Sequence, residues 1–259
     1  MNAPDRHLSV VHFLLPKAGL LLSECEDALA LCHRRGRYCV ADGATEAYDS
    51  RRWARFLTKC WAANDRLLTK EEFEPWLAIL GARLEQRWSR RPLPWYAEEK
   101  ARGGAFAAFI GLAFIQSEDR FVWQTVALGD SCLVHTRDNT IVEALPISEP
   151  EAFGYHPTLI PSNLLRQQGI GEQFTVANGH AEQNDAFLLL TDAIAAWYIR
   201  MSTEDPTRVH ELTQLLDQQD FAGFEQFVTR ERADKSLRND DVAIMRIAIG
   251  PPFSQVSAG

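Results

Sequence analysis

Four aspartates stand beside short apolar runs that are typical of buried strands: Asp42, Asp130, Asp192 and Asp240. Three of them follow such a run, and Asp240 precedes the run that begins at Val242. A carboxylate at the mouth of a buried strand is costly unless a positive or hydrogen-bonding group meets it. Because the four are spread along the chain, we expect them to converge on bound cations. Carboxylate oxygens are hard ligands, which suits magnesium or manganese.

Each of these aspartates has an ordinary explanation when it is taken alone. Asp42 and Asp130 adjoin glycines, as in tight turns, Asp192 has the position of a helix N-cap, and Asp240 could close a loop. The joint pattern also includes Glu26-Asp27, at the front of another apolar run. This joint pattern, and not any single aspartate, predicts a metal site.

The elements that must position these acids come in blocks. Apolar periodicity predicts strands over residues 8–15, 27–33, 38–41, 105–115, 121–128, 132–136, 140–145, 187–191 and 242–249. Helical spacing predicts helices over residues 53–68, 73–88, 193–200, 206–216 and 221–232. Asp49 or Ser50 is the expected N-cap of the first helix. Residues 146–173 contain four prolines and read as a long loop.

Early and late helices flank antiparallel-looking strands, and there is no βαβ alternation. This order predicts an α+β fold in which a β-sandwich core is flanked by helices. We expect one domain over residues 1–259, with its core at about residues 8–249 and a short disordered C-terminal tail.

Composition limits the classes of partner. The 259-residue chain is 46% hydrophobic and has a formal net charge of -8, which argues against a nucleic-acid partner. No apolar run reaches the length of a membrane span. The five cysteines are an odd number and form no CxxC pair, which is typical of reduced thiols. We therefore expect a cytoplasmic protein that binds neither nucleic acid nor a membrane.

Taken in order, the acidic motifs resemble the metal-dependent serine/threonine protein phosphatases of type 2C, in a divergent bacterial branch. The matching motifs are Glu26-Asp27, Asp42-Gly43, Gly129-Asp130-Ser131, Thr191-Asp192 and Asp240-Asp241. Gly103-Gly104-Ala105 also resembles the small-residue segment that the family has before a central strand. The resemblance covers nearly the whole chain, residues 8–249. It implies two antiparallel sheets packed as a sandwich, with helices on both outer faces.

The resemblance also implies a centre of two Mn²⁺ or Mg²⁺ ions, with a third, weaker site. The implied ligands are Glu26, Asp27, Asp42, Gly43, Asp130, Asp192 and Asp240. Asp42 would bridge the two ions. The Gly43 carbonyl with Glu26 and Asp27 would hold one ion, Asp192 and Asp240 would hold the other, and Asp130 would serve the third. Catalysis would depend chiefly on Asp42, Asp192 and Asp240.

The implied reaction is hydrolysis of phosphoserine or phosphothreonine in a protein, through a water that two metal ions activate. No covalent intermediate is required. The implied partners are a phosphorylated protein and a cognate serine/threonine kinase or its targets. Because the ligands must be ionised, we expect activity to fall at low pH.

Two positions depart from the family pattern. Many members have an arginine, which binds the substrate phosphate, where this chain has Leu22, and animal-type members have a histidine where it has Ala44. Arg37, Arg51 or Arg52 could supply the phosphate contact, although a solvated surface is the ordinary explanation for each. Two alternatives therefore stay open: a catalytically weak regulatory module that binds a phosphorylated partner, and a phosphatase for a small metabolite.

Overall fold

The computed structural model describes residues 8–45, 47–88, 100–101, 103–117, 120–154 and 157–250. The expected C-terminal tail lies outside these residues. The strands of the described residues are β1 (Leu8–Leu15), β2 (Ala28–Cys32), β3 (Arg37–Gly43), β4 (Phe106–Ser117), β5 (Arg120–Leu128), β6 (Cys132–Arg137), β7 (Thr140–Leu145), β8 (Ile160–Pro161), β9 (Thr175–Ala181), β10 (Asp185–Leu190) and β11 (Val242–Ile249). The long helices of the described residues are α1 (Ser50–Ala62), α2 (Lys70–Trp88), α3 (Asp192–Glu204), α4 (Pro206–Asp217) and α5 (Phe221–Ala233).

The strands form two antiparallel sheets. The first has five strands in the order β1-β11-β10-β6-β7, and the second has the order β2-β3-β4-β5-β9, with β8 paired to β4. Apolar side chains from the inner faces of both sheets, such as Tyr38, Phe114, Phe187 and Met245, pack together between the sheets. The outer face of the first sheet packs on α3, α4 and α5, and that of the second packs on α1 and α2. The predicted sandwich with helices on both outer faces is confirmed.

Helix α1 is held on the second sheet by two tryptophans. The Trp61 indole N–H donates to the Tyr38 carbonyl at 3.0 Å, and that of Trp53 donates to the Ile160 carbonyl at 2.9 Å. A Cβ on Gly111 would lie 2.5 Å from the Trp61 ring, so only a glycine in β4 lets the ring approach the sheet. This packing fixes the N-terminus of α1 at the end of β3, beside Gly43.

Most predicted elements are confirmed, and the main differences are the following. The first helix ends at Ala62, so Leu67 and Leu68 of its predicted stripe lie beyond it. Asp49 does occupy the N-cap position, but with φ 54° its side chain makes no capping hydrogen bond. Strand β9 was not predicted, because its sequence is polar and it pairs with β5 at the edge of the sheet.

Candidate metal centre

The strand order explains how the distant aspartates meet. Strands β3 and β5 both pair antiparallel with β4, so they run in the same direction and their C-terminal ends lie at the same end of the second sheet. Ala108 of β4 lies between the two ends. It pairs with Asp42 of β3, and a Cβ on Gly129, after β5, would be only 2.6 Å from the Ala108 side chain. Because β10 and β11 are antiparallel neighbours, the end of β10 and the start of β11 lie at the same end of the first sheet. These ends place Asp192 and Asp240 opposite Asp42 and Asp130.

Three of the predicted ligands form a tight cluster. Asp42, Asp130 and Asp192 each offer a carboxylate oxygen, and these oxygens all lie within 4.8 Å of one another. Asp130 and Asp192 are each only 8% exposed. Asp130, for which the resemblance implies a third, weaker ion, lies beside the other two carboxylates. Three of the four aspartates that were expected to converge therefore do so.

The cluster is electrostatically unfavourable without a cation. Burial, and then the charges of Asp27, Asp192, Asp130 and Asp240, raise the pKa of Asp42 well above its usual range. Burial and the neighbouring Asp192 raise the pKa of Asp130 to about 6. The pKa of Asp192 is also raised, chiefly by burial, although Arg238 acts in the opposite direction. The pKa of Asp42 is thus raised by four other aspartates, which indicates that it lies among them.

Asp27 lies behind the cluster. It is 1% exposed, and its Oδ2 accepts a hydrogen bond from the Thr191 hydroxyl at 2.8 Å. Its Oδ1 is buried and has no hydrogen-bond partner among the described residues. Burial, and the charges of Asp241, Asp192 and Asp240, raise its pKa well above the usual range. A buried carboxylate oxygen without a partner calls for a proton, a water or a cation.

Two basic residues hold the outer acids. The Arg238 guanidinium contacts Asp192 and also lies 3.0 Å from Asp240 Oδ2. The Lys17 ammonium lies 3.1 Å from Asp240 Oδ1, 4.0 Å from Glu26 Oε2 and 3.1 Å from the Thr45 hydroxyl. Although partial burial opposes its charge, Asp240 and its acidic neighbours raise the pKa of Lys17. Glu26 and Asp240 are therefore brought to the cluster, but as its charged rim.

The backbone of the rim is fixed by Asp241. This residue is 4% exposed, and its carboxylate accepts from the Lys17 and Glu26 backbone N–H groups, each at 2.8 Å. Gly43 closes the same region, because a Cβ on it would lie 2.8 Å from the Ser50 carbonyl carbon and 3.0 Å from the Glu26 oxygen. Only a glycine permits this approach of three backbone segments.

Sequence reasoning missed Lys17, Thr191 and Arg238 as parts of the site. Thr191 and Asp241 stood in the quoted motifs, and a polar residue beside a candidate ligand was the available signal. Lys17 and Arg238 carried no signal of this kind, because their role depends on the meeting of β1, β10 and β11.

Of the suggested phosphate-binding arginines, Arg37 lies away from the site. Arg37, at the start of β3, is 3% exposed, donates to the Asn64 carbonyl and lies 5.8 Å from the centre of the Trp61 ring. It is separated from Asp42 by the length of the strand, about 16 Å, so its proposed role at the site is wrong. Arg51 and Arg52 lie in the first turn of α1. Leu22, where the family has arginine, is 55% exposed.

The donor set fits hard divalent cations. All the clustered side-chain donors are carboxylate oxygens, their pKa values are raised by mutual repulsion and burial, and Asp27 keeps an unpartnered oxygen. A divalent cation among them would offset the repulsion that the structure otherwise leaves unmatched.

Comparison with known proteins agrees with this geometry. The family model described as Protein phosphatase 2C matches residues 23–240, and the chain belongs to that family. No curated protein matches the chain significantly. The expectation of a metal-dependent protein serine/threonine phosphatase is thus confirmed at the level of the family.

Solved structures share the fold at low identity. The Mycobacterium tuberculosis serine/threonine phosphatase PstP/Ppp has a TM-score of 0.61 and 14% identity, with 95% of this chain and 100% of that chain covered. The catalytic domain of PstP in complex with two manganese ions has a TM-score of 0.60 and 14% identity, with 95% and 99% covered. PppA, described as a regulatory component of the type VI secretion system (T6SS) in Pseudomonas aeruginosa, has a TM-score of 0.55 and 17% identity, with 94% and 98% covered.

The family and the acidic cluster together support the expected metal cofactor, since one of these structures contains two manganese ions. Within the described part of the chain, no helix is long and apolar enough to cross a membrane.

Proposed function

We propose that this protein hydrolyses phosphoserine and phosphothreonine in proteins, with two divalent metal ions, Mn²⁺ or Mg²⁺, held by the acidic cluster. The observation that carries the proposal is the convergence of the Asp42, Asp130 and Asp192 carboxylates within 4.8 Å. Two of these carboxylates are buried and Asp42 is half-buried, and three carboxylates so close together are stable as anions only beside a cation.

The proposed ligands are those that the sequence predicted, with Asp42 at the centre. Bound divalent ions would supply an activated water and would neutralise the phosphoryl group. Asp27 accepts a hydrogen bond from the Thr191 hydroxyl through Oδ2, and its buried Oδ1, which has no hydrogen-bond partner among the described residues, is the proposed donor to an ion. Gly43 brings its backbone to Glu26, and Asp241 keeps the Glu26 backbone in place.

Lys17 is the proposed substitute for the arginine that Leu22 replaces. Its ammonium is partly exposed at the rim, between Asp240 and Glu26. Once cations satisfy those carboxylates, the ammonium is available to a phosphate oxygen. Ala44 cannot donate a proton to the leaving group, so we assign that proton to water.

The proposed setting is the cytoplasm of a bacterial cell, with a cognate kinase that phosphorylates the same targets. The observation behind the compartment is that all five cysteines are free, which is typical of reducing conditions. We also propose that the chain is a single domain, because one apolar layer joins its two sheets.

The test is phosphate release from a phosphothreonine peptide with manganese, for the wild type and for Asp42→Asn and Asp192→Asn. Asp234→Asn, an exposed aspartate after α5, is the matched control. We expect metal-dependent release by the wild type and the control, and none by the two cluster variants while they remain folded by circular dichroism. A wild type that is inert with every metal and every phosphopeptide overturns the proposal and favours a binding module or a metabolite phosphatase.

A further inference from the structure

A basic groove lies on the outer surface of α1 and the end of α2. It has a volume of about 240 Å³ and is lined by Asp49, Arg51, Arg52, Arg55, Phe56, Lys59 and Arg87. Five of these side chains are cationic and one is anionic, in a chain whose formal net charge is -8. The groove is therefore a local reversal of the overall charge, and it calls for an anionic ligand.

Most of this positive charge is not neutralised. Asp49 pairs with Arg52, whereas Arg51, Arg55, Lys59 and Arg87 form no ion pair with any carboxylate in the described part of the chain. The guanidinium carbon of Arg87, from α2, lies 5.2 Å from the centre of the Phe56 ring, and both side chains line the groove. Arg87 is thus held in place by packing, and the four cations are left open to an external anion.

The clustered positive charges destabilise helix α1 when no anion is bound. Arg51, Arg55 and Lys59 are spaced four residues apart, so their like charges lie on one stripe, and each such pair costs about 0.2–0.5 kcal/mol. The first turn of α1 holds Arg51 and Arg52 and no acidic residue, which is unfavourable at the positive end of a helix. An anion in the groove would offset both effects.

The groove begins next to the metal centre. Ser50, the first residue of α1, lies against Gly43, since a Cβ on that glycine would be only 2.8 Å from the Ser50 carbonyl carbon. Arg51 is the next residue of the helix. From Arg51 to Lys59 the helix rises about 12 Å, the span of about four residues of extended peptide. A substrate whose phosphorylated residue occupies the metal centre could therefore place its flanking residues along α1.

We propose that this basic groove binds an acidic segment of the phosphoprotein substrate, which carries carboxylates or a further phosphate beside the phosphorylated residue. The inference rests on the proposed function, because it names the substrate class for that site. Guanidinium groups bind carboxylates and phosphates in a forked geometry, which suits the three arginines of α1.

The test separates the groove from the reaction. A fluorescent, unphosphorylated threonine peptide flanked by four aspartates is titrated with the manganese-loaded protein, against the same peptide with asparagines, by anisotropy at low salt. We expect the acidic peptide to bind about tenfold more tightly, with a preference that falls as salt is added. The double variant Arg55→Gln, Lys59→Gln should abolish most of this preference, and Lys59→Gln alone, at an exposed position, should reduce it about threefold.

The matched control is Lys70→Gln, Lys235→Gln, which removes the same charge from exposed positions outside the groove and should keep the preference. Equal affinities for the two peptides, or a preference that survives in the groove variants, overturns the inference. Because these peptides carry no phosphate, the result does not depend on turnover. Phosphate release from a phosphothreonine peptide with neutral flanks tests the proposed function separately.

Discussion

Strand β10 has a buried carboxylate at each end, and the two differ in their partners. At its start, Asp185 is 1% exposed and accepts from Arg137 at 2.7 and 3.2 Å and from the Glu182 backbone at 2.8 Å. His135 Nε2 lies 3.1 Å from it. After its end, Asp192 faces Asp42 and Asp130. Both carboxylates are buried, but Asp185 has a full set of donors, whereas Asp192 has Arg238 on one side and like charges on the other.

The difference is visible in the pKa values. Burial alone would raise the pKa of Asp185, but hydrogen bonds from Arg137 and the Glu182 backbone outweigh it and lower the pKa. The pKa of Asp192 is raised, chiefly by burial. A buried acid that the protein itself neutralises stabilises the fold, whereas buried acids that repel one another mark a site for an external cation.

The largest expected effect comes from Asp42→Asn. We expect phosphatase activity with manganese to fall by at least about a thousandfold, because the central ligand of the site is lost. The same change removes a repelling charge, so the thermal midpoint of the metal-free variant should rise. Phosphate release and thermal melts in EDTA measure the two effects. A metal-free variant that is clearly less stable than the wild type would show that Asp42 has a structural partner.

The opposite outcome is expected for Asp185→Asn. It leaves Arg137 without its buried partner, and the free energy of unfolding should fall by about 2 kcal/mol, measured by urea denaturation. Phosphate release per folded molecule should stay within about twofold of the wild type, because the position is at the far end of β10. Unchanged stability would mean that the pairing at this end of the strand contributes little.

Acidification should also separate the two ends. The pKa of Asp130 rises from 3.8 to about 6 in the folded protein, so the folded state binds more protons than the unfolded chain within that window. The free energy of unfolding of the metal-free protein should therefore fall as pH rises from about 4 to 6. Asp185, with a lowered pKa, loses its contribution only below about pH 4. Thermal melts of the EDTA-treated protein at pH 5 and 7 provide the measurement, with lower stability at pH 5 as the contradictory result.

The smallest effect is expected at the rim, from Lys17→Gln. Because Lys17 lies beside Asp240 and Glu26 at the partly exposed edge, we expect KM for a phosphopeptide to rise about fivefold with little change in kcat. Steady-state kinetics separate the two constants. A fall in kcat alone would place Lys17 in the chemical step instead of in substrate binding.

Much of this arrangement was predictable from the order of the residues. Strands β1 and β11 have the predicted bounds, because each is an apolar run with polar or proline-containing flanks. The aspartates were recognisable because each stands beside such a run. Their convergence followed from the resemblance and from the rule that buried carboxylates require a partner.

The rest depended on tertiary structure. Strand β9 has little apolar content and forms because β5 offers it an open edge. Arg37 looked available for a phosphate, but it packs against Trp61 at the far end of β3. The role of Lys17 arises only where its loop meets Asp240, more than two hundred positions later in the chain. Local patterns do not encode such contacts.

The most direct measurement is a manganese titration of the metal-free protein. Calorimetry measures the ions bound, and thermal melts measure the change in the thermal midpoint. We expect binding of at least two ions per chain, a rise in the thermal midpoint with manganese concentration, and loss of both in Asp42→Asn. The Asp234→Asn control should behave as the wild type. A wild-type protein that binds no manganese and gains no stability from it would contradict a metal centre at the acidic cluster.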